Sequence, residues 1–176
     1  MGPKQTESIA ATSAKTYMLA WRIVTVAWAA QIFFLSTGSF RSSASESLLA
    51  LTLAALNLNV SLDTVDILNT ILRKLAHVSQ YSVLTLLIYR SFGTWNRWER
   101  RRAIWSILIA AIYALTDEFH QRFVVGRGPS LFDCGIDTIG AAIAMLLVHL
   151  HVQTQIKFAH VSARPSGRTP SQPVQR

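Results

Sequence analysis

The 176-residue chain is 51% hydrophobic and only 15% charged, with a mean hydropathy of +0.31. This composition is unusual for a soluble domain and predicts a single membrane domain. The net charge is +8. Because the basic residues lie beside apolar runs and in a tail, they favour anionic lipid as a partner and exclude nucleic acid. Cys134 is the only cysteine, so an intrachain disulfide is excluded and a small packing residue is expected.

The first apolar run, YMLAWRIVTVAWAAQIFFLS at positions 17–36, follows a polar segment, 1–16, that we expect to be a flexible leader. At about 1.5 Å per residue this run crosses a hydrocarbon layer of about 30 Å. A cleavable signal peptide is the alternative, because the small residues STGS follow. Since signal peptides have apolar runs of about 7–15 residues, we favour an uncleaved first transmembrane helix.

The stretch 39–73 is more polar. Its apolar part, within 44–60, is closer to the roughly 10–14 residues of an interfacial or re-entrant segment than to a full span. Asp63, with Asp66 three residues later, predicts the N-cap of an amphipathic helix that leads directly into the second span. Its apolar residues recur at helical spacing: Val65, Leu68, Leu72 and Leu75.

Three further spans are predicted. The second is LAHVSQYSVLTLLIY, which ends at Tyr89; the third covers 103–116 and the fourth about 132–152. The remaining residues, 153–176, are basic and rich in proline, which predicts a disordered tail. The predicted fold is therefore an all-α, polytopic membrane domain over 17–152, with four transmembrane helices and an amphipathic or re-entrant segment between the first two.

Arginine and lysine predict the orientation of these spans. Five arginines and one acid, Glu99, lie between the second and third spans, and the tail has Lys157 and three arginines without an acid. The segment 117–137 instead has two arginines and four acids. We therefore expect 117–137 to lie outside the cytoplasm and both termini to lie inside.

This topology brings the start of the second span, the end of the third and the start of the fourth to the same outer face. Lys74, His77 and Tyr81 share one helical face at i, i+3 and i+7. A helix rises only about 21 Å from 103 to 117, so we expect Asp117 and Asp137 to lie below the outer surface. Ionisable groups at that depth are costly unless they pair or face water, which makes them functional candidates.

Two segments carry a family resemblance. KLAHVSQY (74–81) and DEFHQRFVVGRGPSLFDCGIDTIGA (117–141) resemble the paired signatures of VanZ-like membrane proteins, namely K-x-x-H-x-x-x-Y, then D-E-x-x-Q, a Gly-Arg turn and D-x-x-x-[ND]-T-x-G. The resemblance covers about 21–152, including FFLS at the end of the first helix. Val125 departs from the proline common before Gly-Arg, and Asp137 from a frequent asparagine. The following residues match motif positions: Lys74, His77, Tyr81, Asp117, Glu118, Gln121, Gly126, Arg127, Ser130, Asp133, Thr138 and Gly140.

The resemblance implies a multi-pass protein of the bacterial cell membrane, in a family whose namesake is linked to glycopeptide (teicoplanin) resistance. The resemblance supplies no mechanism, so the chemistry of the site has to come from its own residues.

Asp117 and Glu118 are adjacent on the predicted third span. Neighbouring side chains on a helix point about 100° apart, so these two are not expected to share a proton.

Our site predictions fall into three groups. The catalytic candidates are His77, Asp117, Glu118 and Asp133. The candidates for substrate binding are Lys74, Tyr81, Gln121, Arg127 and Ser130. The structural candidates are Gly126, Asp137, Thr138 and Gly140. His77 with His120 and the acids could also hold a metal, but no ligand motif is present, and we expect neither a metal nor a cofactor.

Two functions remain open. In the first, an extracytoplasmic polar site binds or modifies an anionic cell-envelope component such as a lipid-linked precursor, with an effect on glycopeptide tolerance. In the second, the chain is a non-catalytic membrane scaffold whose polar cluster only locks the helices together. The sequence leaves turnover and oligomeric state undecided.

Overall fold

The computed structural model describes residues 3–36, 42–58, 60–94, 97–123 and 130–162. Over these ranges the chain is helical and contains no strand, which confirms the all-α class. The helices are α1 (Pro3–Phe34), α2 (Ser42–Ala55), α3 (Leu62–Ser91), α4 (Arg100–Gln121) and α5 (Leu131–Ser162).

Three helical segments are long and apolar enough to cross a membrane: Thr12–Phe34, Arg100–Gln121 and Leu131–Ala159. Their outer faces expose large apolar side chains, for example Val26 (68% exposed) and Leu147 (60%). Extensive apolar surface of this kind is unusual on a soluble monomer and suits hydrocarbon. The structure therefore indicates a membrane protein, with helices at the predicted first, third and fourth spans.

α3, which contains the predicted second span, does not reach the same apolarity, so four transmembrane helices are not confirmed. The reason is its content of polar side chains, among them Arg73, Lys74 and His77. Yet α3 packs against each of the other four helices, α1, α2, α4 and α5. Its polar residues can therefore face these helices, and a mean hydropathy does not take such contacts into account.

The start of α3 corrects one prediction. The N-cap is Ser61, not Asp63: its backbone is extended, with φ −69° and ψ 155°, and its Oγ accepts the N–H of Thr64 at 3.3 Å. Asp63 lies in the first turn, where its negative charge still favours the positive end of the helix dipole. From there α3 continues to Ser91, so the expected amphipathic helix does lead directly into the second predicted span.

α3 and α5 approach each other closely at Gly140. A Cβ added there would lie 2.7 Å from the carbonyl oxygen of Val78. The Oγ of Ser82 donates to the carbonyl oxygen of Gly140 at 2.9 Å, and Ala144, one turn later, is 2% exposed. Gly140, predicted as a structural residue, thus lies at the contact between α5 and α3, where a small side chain allows the two backbones to approach closely.

α1 is held against the bundle by two long side chains. The indole Nε1 of Trp28 donates to the carbonyl oxygen of Gln80 at 3.1 Å, and the hydroxyl of Tyr113 donates to the carbonyl oxygen of Ala29 at 2.6 Å. α1 begins at Pro3 and α5 continues to Ser162, so both exceed the predicted spans. No proline or glycine interrupts 4–34 or 141–162, and helical propensity therefore extends each helix.

Candidate functional site

A polar pocket lies where the first half of α3, the end of α4 and the start of α5 meet. Its volume is about 120 Å³. Since a cavity of about 150 Å³ holds one benzene-sized molecule, the described walls admit one small group such as a phosphate or a carboxylate. The pocket is lined by Thr70, Arg73, Lys74, His77, Glu118, Gln121, Asp133, Ile136 and Asp137.

Lys74 and Asp133 form the outer wall. The Nζ of Lys74 donates to Oδ1 of Asp133 at 2.7 Å and joins α3 to α5. The side chains are 41% and 39% exposed, so water screens the pair and its net stabilisation is small. Lys74 can therefore exchange this carboxylate for another anion without a large penalty.

His77 and Asp137 form the inner wall. The Nδ1 of His77 lies 3.6 Å from Oδ1 of Asp137, which is 1% exposed, whereas His77 is 24% exposed. Among the described residues neither oxygen of Asp137 has a hydrogen-bond partner. A buried carboxyl group in this state is costly. Asp137 was assigned a structural role, but its expected depth had also made it a functional candidate, and the structure places it on the pocket wall.

Glu118 connects the end of α4 to the start of α5. It is 5% exposed, and its Oε2 accepts the backbone N–H of Ser130 at 2.8 Å. The Oγ of Ser130 in turn accepts the backbone N–H of Asp133 at 3.3 Å, as an N-cap does. Ser130 thus starts α5 and fixes the position of Asp133, while Glu118 also lines the pocket.

Asp117 faces away from the pocket, toward α1. It is 2% exposed, and its Oδ2 accepts hydrogen bonds from Oγ of Ser36 at 2.9 Å and from Nε2 of Gln121 at 3.1 Å. Its other oxygen has no hydrogen-bond partner within the described ranges. Asp117 and Glu118 therefore contact different parts of the protein, because adjacent side chains on a helix point about 100° apart.

Tyr81 lies below the pocket and is fully buried. Its ring is nearly parallel to that of His77, at 6.5 Å between centroids and 12° between planes, and its centroid is 6.3 Å from that of Tyr113. In the described part of the chain its hydroxyl has no hydrogen-bond partner. Tyr81 thus belongs to the buried core beside His77, and it is not among the pocket-lining residues.

The remaining predicted site residues differ in their placement. Gln121 lines the pocket and also contacts Asp117. The hydroxyl of Thr138 donates to the carbonyl oxygen of Cys134 within α5, and Cys134 packs in the core. Gly126 and Arg127 lie outside the described residues, so their roles stay predictions.

Four residues that contribute to the pocket or to its surroundings were not predicted from the sequence. Thr70 and Arg73 line the pocket from α3, and Ile136 lines it from α5. Thr70 lies four residues before Lys74 and seven before His77, so the same helical periodicity could have found it. Ser36, the last residue of FFLS, could not be paired with Asp117 from sequence, because that contact depends on how α1 packs.

His120 does not line the pocket, since its ring packs on Phe33 at 4.4 Å between centroids. Among the described residues no three His, Cys, Asp or Glu side chains form a group that could hold a metal ion.

The fold and the site together define a class: an all-helical protein with membrane-spanning helices and an ionisable pocket at one end of the bundle. A family model described as VanZ/LLP1 matches residues 21–152, three quarters of the chain. The chain therefore belongs to the VanZ/LLP1 family, as its two signature segments predicted. No curated protein and no solved structure matches it.

Proposed function

We propose that the pocket binds the anionic headgroup of a cell-envelope component such as a lipid-linked precursor. The catalytic version of this proposal adds chemical modification of that headgroup. The observation that carries this proposal is the convergence of six ionisable side chains from three helices on one cavity of about 120 Å³. Ionisable groups are rare in membrane domains unless they serve a site or pair with one another. The ionisable wall residues are Arg73, Lys74, His77, Glu118, Asp133 and Asp137.

Lys74 and Arg73 supply positive charge on one side of the cavity. Lys74 is partly exposed and bonded to a partly exposed carboxylate, so an incoming phosphate can compete for its three donors. Arg73 offers a planar fork that suits a phosphate or a carboxylate. The predicted contribution of Arg127 would add a second guanidinium from the Gly-Arg turn.

His77, Glu118 and Asp137 supply the groups for proton transfer. Imidazole changes charge near neutral pH, and a carboxylate beside it can orient the ring and stabilise its protonated form. Asp137 lies 3.6 Å from Nδ1 of His77, which leaves Nε2 for a substrate. Asp133 pairs with Lys74 in this arrangement and would be released when an anion takes its place.

The topology that we propose has four spans, with α3 crossing as well as α1, α4 and α5, in a bacterial cell membrane. α3 has 30 residues, about 45 Å of helix at about 1.5 Å per residue, which exceeds the hydrocarbon thickness. The arginine-rich connection before α4 and the basic tail favour cytoplasmic termini. The pocket would then open on the extracytoplasmic side, where envelope precursors are used.

The direct test uses the purified full-length protein in lipid discs, incubated with an envelope-lipid extract and analysed by mass spectrometry. We expect the wild-type protein to retain or alter a phosphate-bearing lipid, and we expect Lys74→Gln, which removes a cation from the pocket, to lose this property while remaining folded. Asp66→Asn is the control on the same helix, because Asp66 is an exposed charged residue of α3 outside the pocket. A folded wild-type protein that neither retains nor alters any lipid would contradict the proposal.

A second function, a non-catalytic scaffold with a polar lock, is favoured by the hydrogen bonds that cross between helices. Ser36, two residues after the end of α1, bonds to Asp117 of α4, and Lys74 of α3 bonds to Asp133 of α5. A lock predicts that His77→Gln, Asp117→Asn and Glu118→Gln all lose folded protein. A site predicts folded variants that lose an effect on glycopeptide tolerance.

A further inference from the structure

A second groove lies at the other end of the bundle, beside the start of α4. Its volume is about 460 Å³, larger than the polar pocket. Glu118 lies sixteen positions after Arg102 on α4, about 24 Å along the helix, so the two cavities are distinct. The groove is lined by Phe92, Glu99, Arg101, Arg102, Trp105 and Ile109.

The groove is amphipathic along its length. Arg102, Trp105 and Ile109 follow one another at i, i+3 and i+7 and share a face of α4. Trp105 is 52% exposed and Ile109 is 38% exposed. The same apolar face continues to Ile112, which is 61% exposed. The groove therefore has a charged end and an exposed apolar surface along a membrane helix. These two features match the headgroup and the acyl chain of a lipid.

One nitrogen of Arg102 makes no hydrogen bond within the described part of the chain. Its side chain is 9% exposed, and its Nη2 donates to the hydroxyl of Tyr89 at 3.1 Å and to the carbonyl oxygen of Arg97 at 3.0 Å. Its Nε is buried and, among the described residues, makes no hydrogen bond. The carboxylate of Glu99 lies 3.8 Å from this nitrogen and is 62% exposed, so it is held weakly and can move away.

The first turn of α4 adds backbone donors. Glu99 is the N-cap residue, yet its side chain makes no capping hydrogen bond. The first N–H groups of a helix and the positive end of its dipole favour an anion. Arg101 and Arg102 supply positive charge on the same turn.

We propose that this groove binds one phospholipid with an anionic headgroup. The phosphate contacts Arg101, Arg102 and the start of α4, and an acyl chain lies along Trp105 and Ile109. Basic clusters at the ends of membrane helices attract anionic lipids, and aromatic side chains prefer the same interfacial depth. The lipid anchors this end of the bundle and does not depend on the function of the polar pocket.

The test compares phosphatidylglycerol with phosphatidylcholine of the same acyl chains on the purified full-length protein, by native mass spectrometry. We expect preferential retention of phosphatidylglycerol, and about fivefold weaker retention in Arg101→Gln, because one arginine near a membrane surface contributes about that factor. Arg100→Gln removes the same charge from the same turn but outside the groove, and we expect it to bind as the wild type does. Circular dichroism checks that each variant is folded.

Equal retention of the two lipids by the folded protein would overturn the proposal. So would equal losses in Arg101→Gln and Arg100→Gln, since that result would show a diffuse charge effect. A third arm adds inorganic phosphate. Displacement of phosphatidylglycerol by an equal concentration of phosphate would show that the apolar track contributes nothing and would overturn the assignment to a lipid.

Discussion

Asp137 lies 3.6 Å from Nδ1 of His77, on the wall of a pocket between three helices, and is 1% exposed. Its two oxygens have no hydrogen-bond partner among the described residues. An asparagine at this position would fill the same volume without the charge. The pair therefore places a costly charge beside a titratable ring, at the entrance to the buried part of the bundle.

Asp137→Asn is expected to keep or raise the thermal stability of the protein, because a neutral amide costs less to bury than a carboxylate without hydrogen bonds. It should also bind anions more tightly, since one negative charge leaves the pocket. The Tm in detergent measures the stability, and a titration with a phosphate ester measures the affinity for anions. Asp133→Asn, at a 39% exposed position, is the control for removal of an exposed carboxylate. A marked fall in Tm for Asp137→Asn would contradict this expectation and would show that the contact with His77 stabilises the charge.

A double-mutant cycle on Lys74 and Asp133 should give a coupling energy of about 0.2–1 kcal/mol, because both partners are partly exposed and screened by water. The cycle requires Lys74→Ala, Asp133→Ala and the double variant, each followed by denaturant unfolding. A coupling of several kcal/mol would mean that the pair is a structural lock, and it would favour the scaffold function over a binding site.

Gly140→Ala is expected to destabilise the fold by about 1–3 kcal/mol, as overpacking does. The added Cβ would lie 2.7 Å from the carbonyl oxygen of Val78 and would force α3 and α5 apart. Gly135→Ala on the same helix is the matched control, because a Cβ there has no described atom within 4 Å. Helical propensity should make that control more stable by about 0.5–1 kcal/mol. Equal effects of the two changes on the unfolding free energy would contradict the close approach of the helices.

Ser36→Ala should cost about 1–3 kcal/mol, because it removes a hydrogen bond to the buried carboxylate of Asp117. Ser79→Ala is the control: that hydroxyl donates to the carbonyl oxygen of Leu75 on an exposed face. Little change is expected there, as for most exposed substitutions. Unfolding followed by tryptophan fluorescence measures both. No loss in Ser36→Ala would show that α1 is not joined to α4 through this bond.

The spacing of Lys74, His77 and Tyr81 predicted a shared face, and the charge pattern predicted which helix ends would meet it. The sequence could not assign partners, because whether His77 faces Asp133 or Asp137 depends on the rotation of α3 against α5. The contact between Ser36 and Asp117 depends in the same way on the position of α1. Hydropathy does not confirm that α3 crosses the membrane. A polar residue has the same hydropathy value whether it faces another helix or faces water.

The central claim is that the polar pocket binds an anionic headgroup, and the most direct measurement is a calorimetric titration of the purified protein with a short-chain lipid diphosphate. The titration uses Arg101→Gln as the background, which weakens the contribution of the second groove. We expect saturable binding that Lys74→Gln weakens about tenfold through loss of a charge-assisted hydrogen bond, while Asp66→Asn leaves it unchanged. A folded protein that binds no diphosphate, or binds it equally with and without Lys74, would contradict the claim.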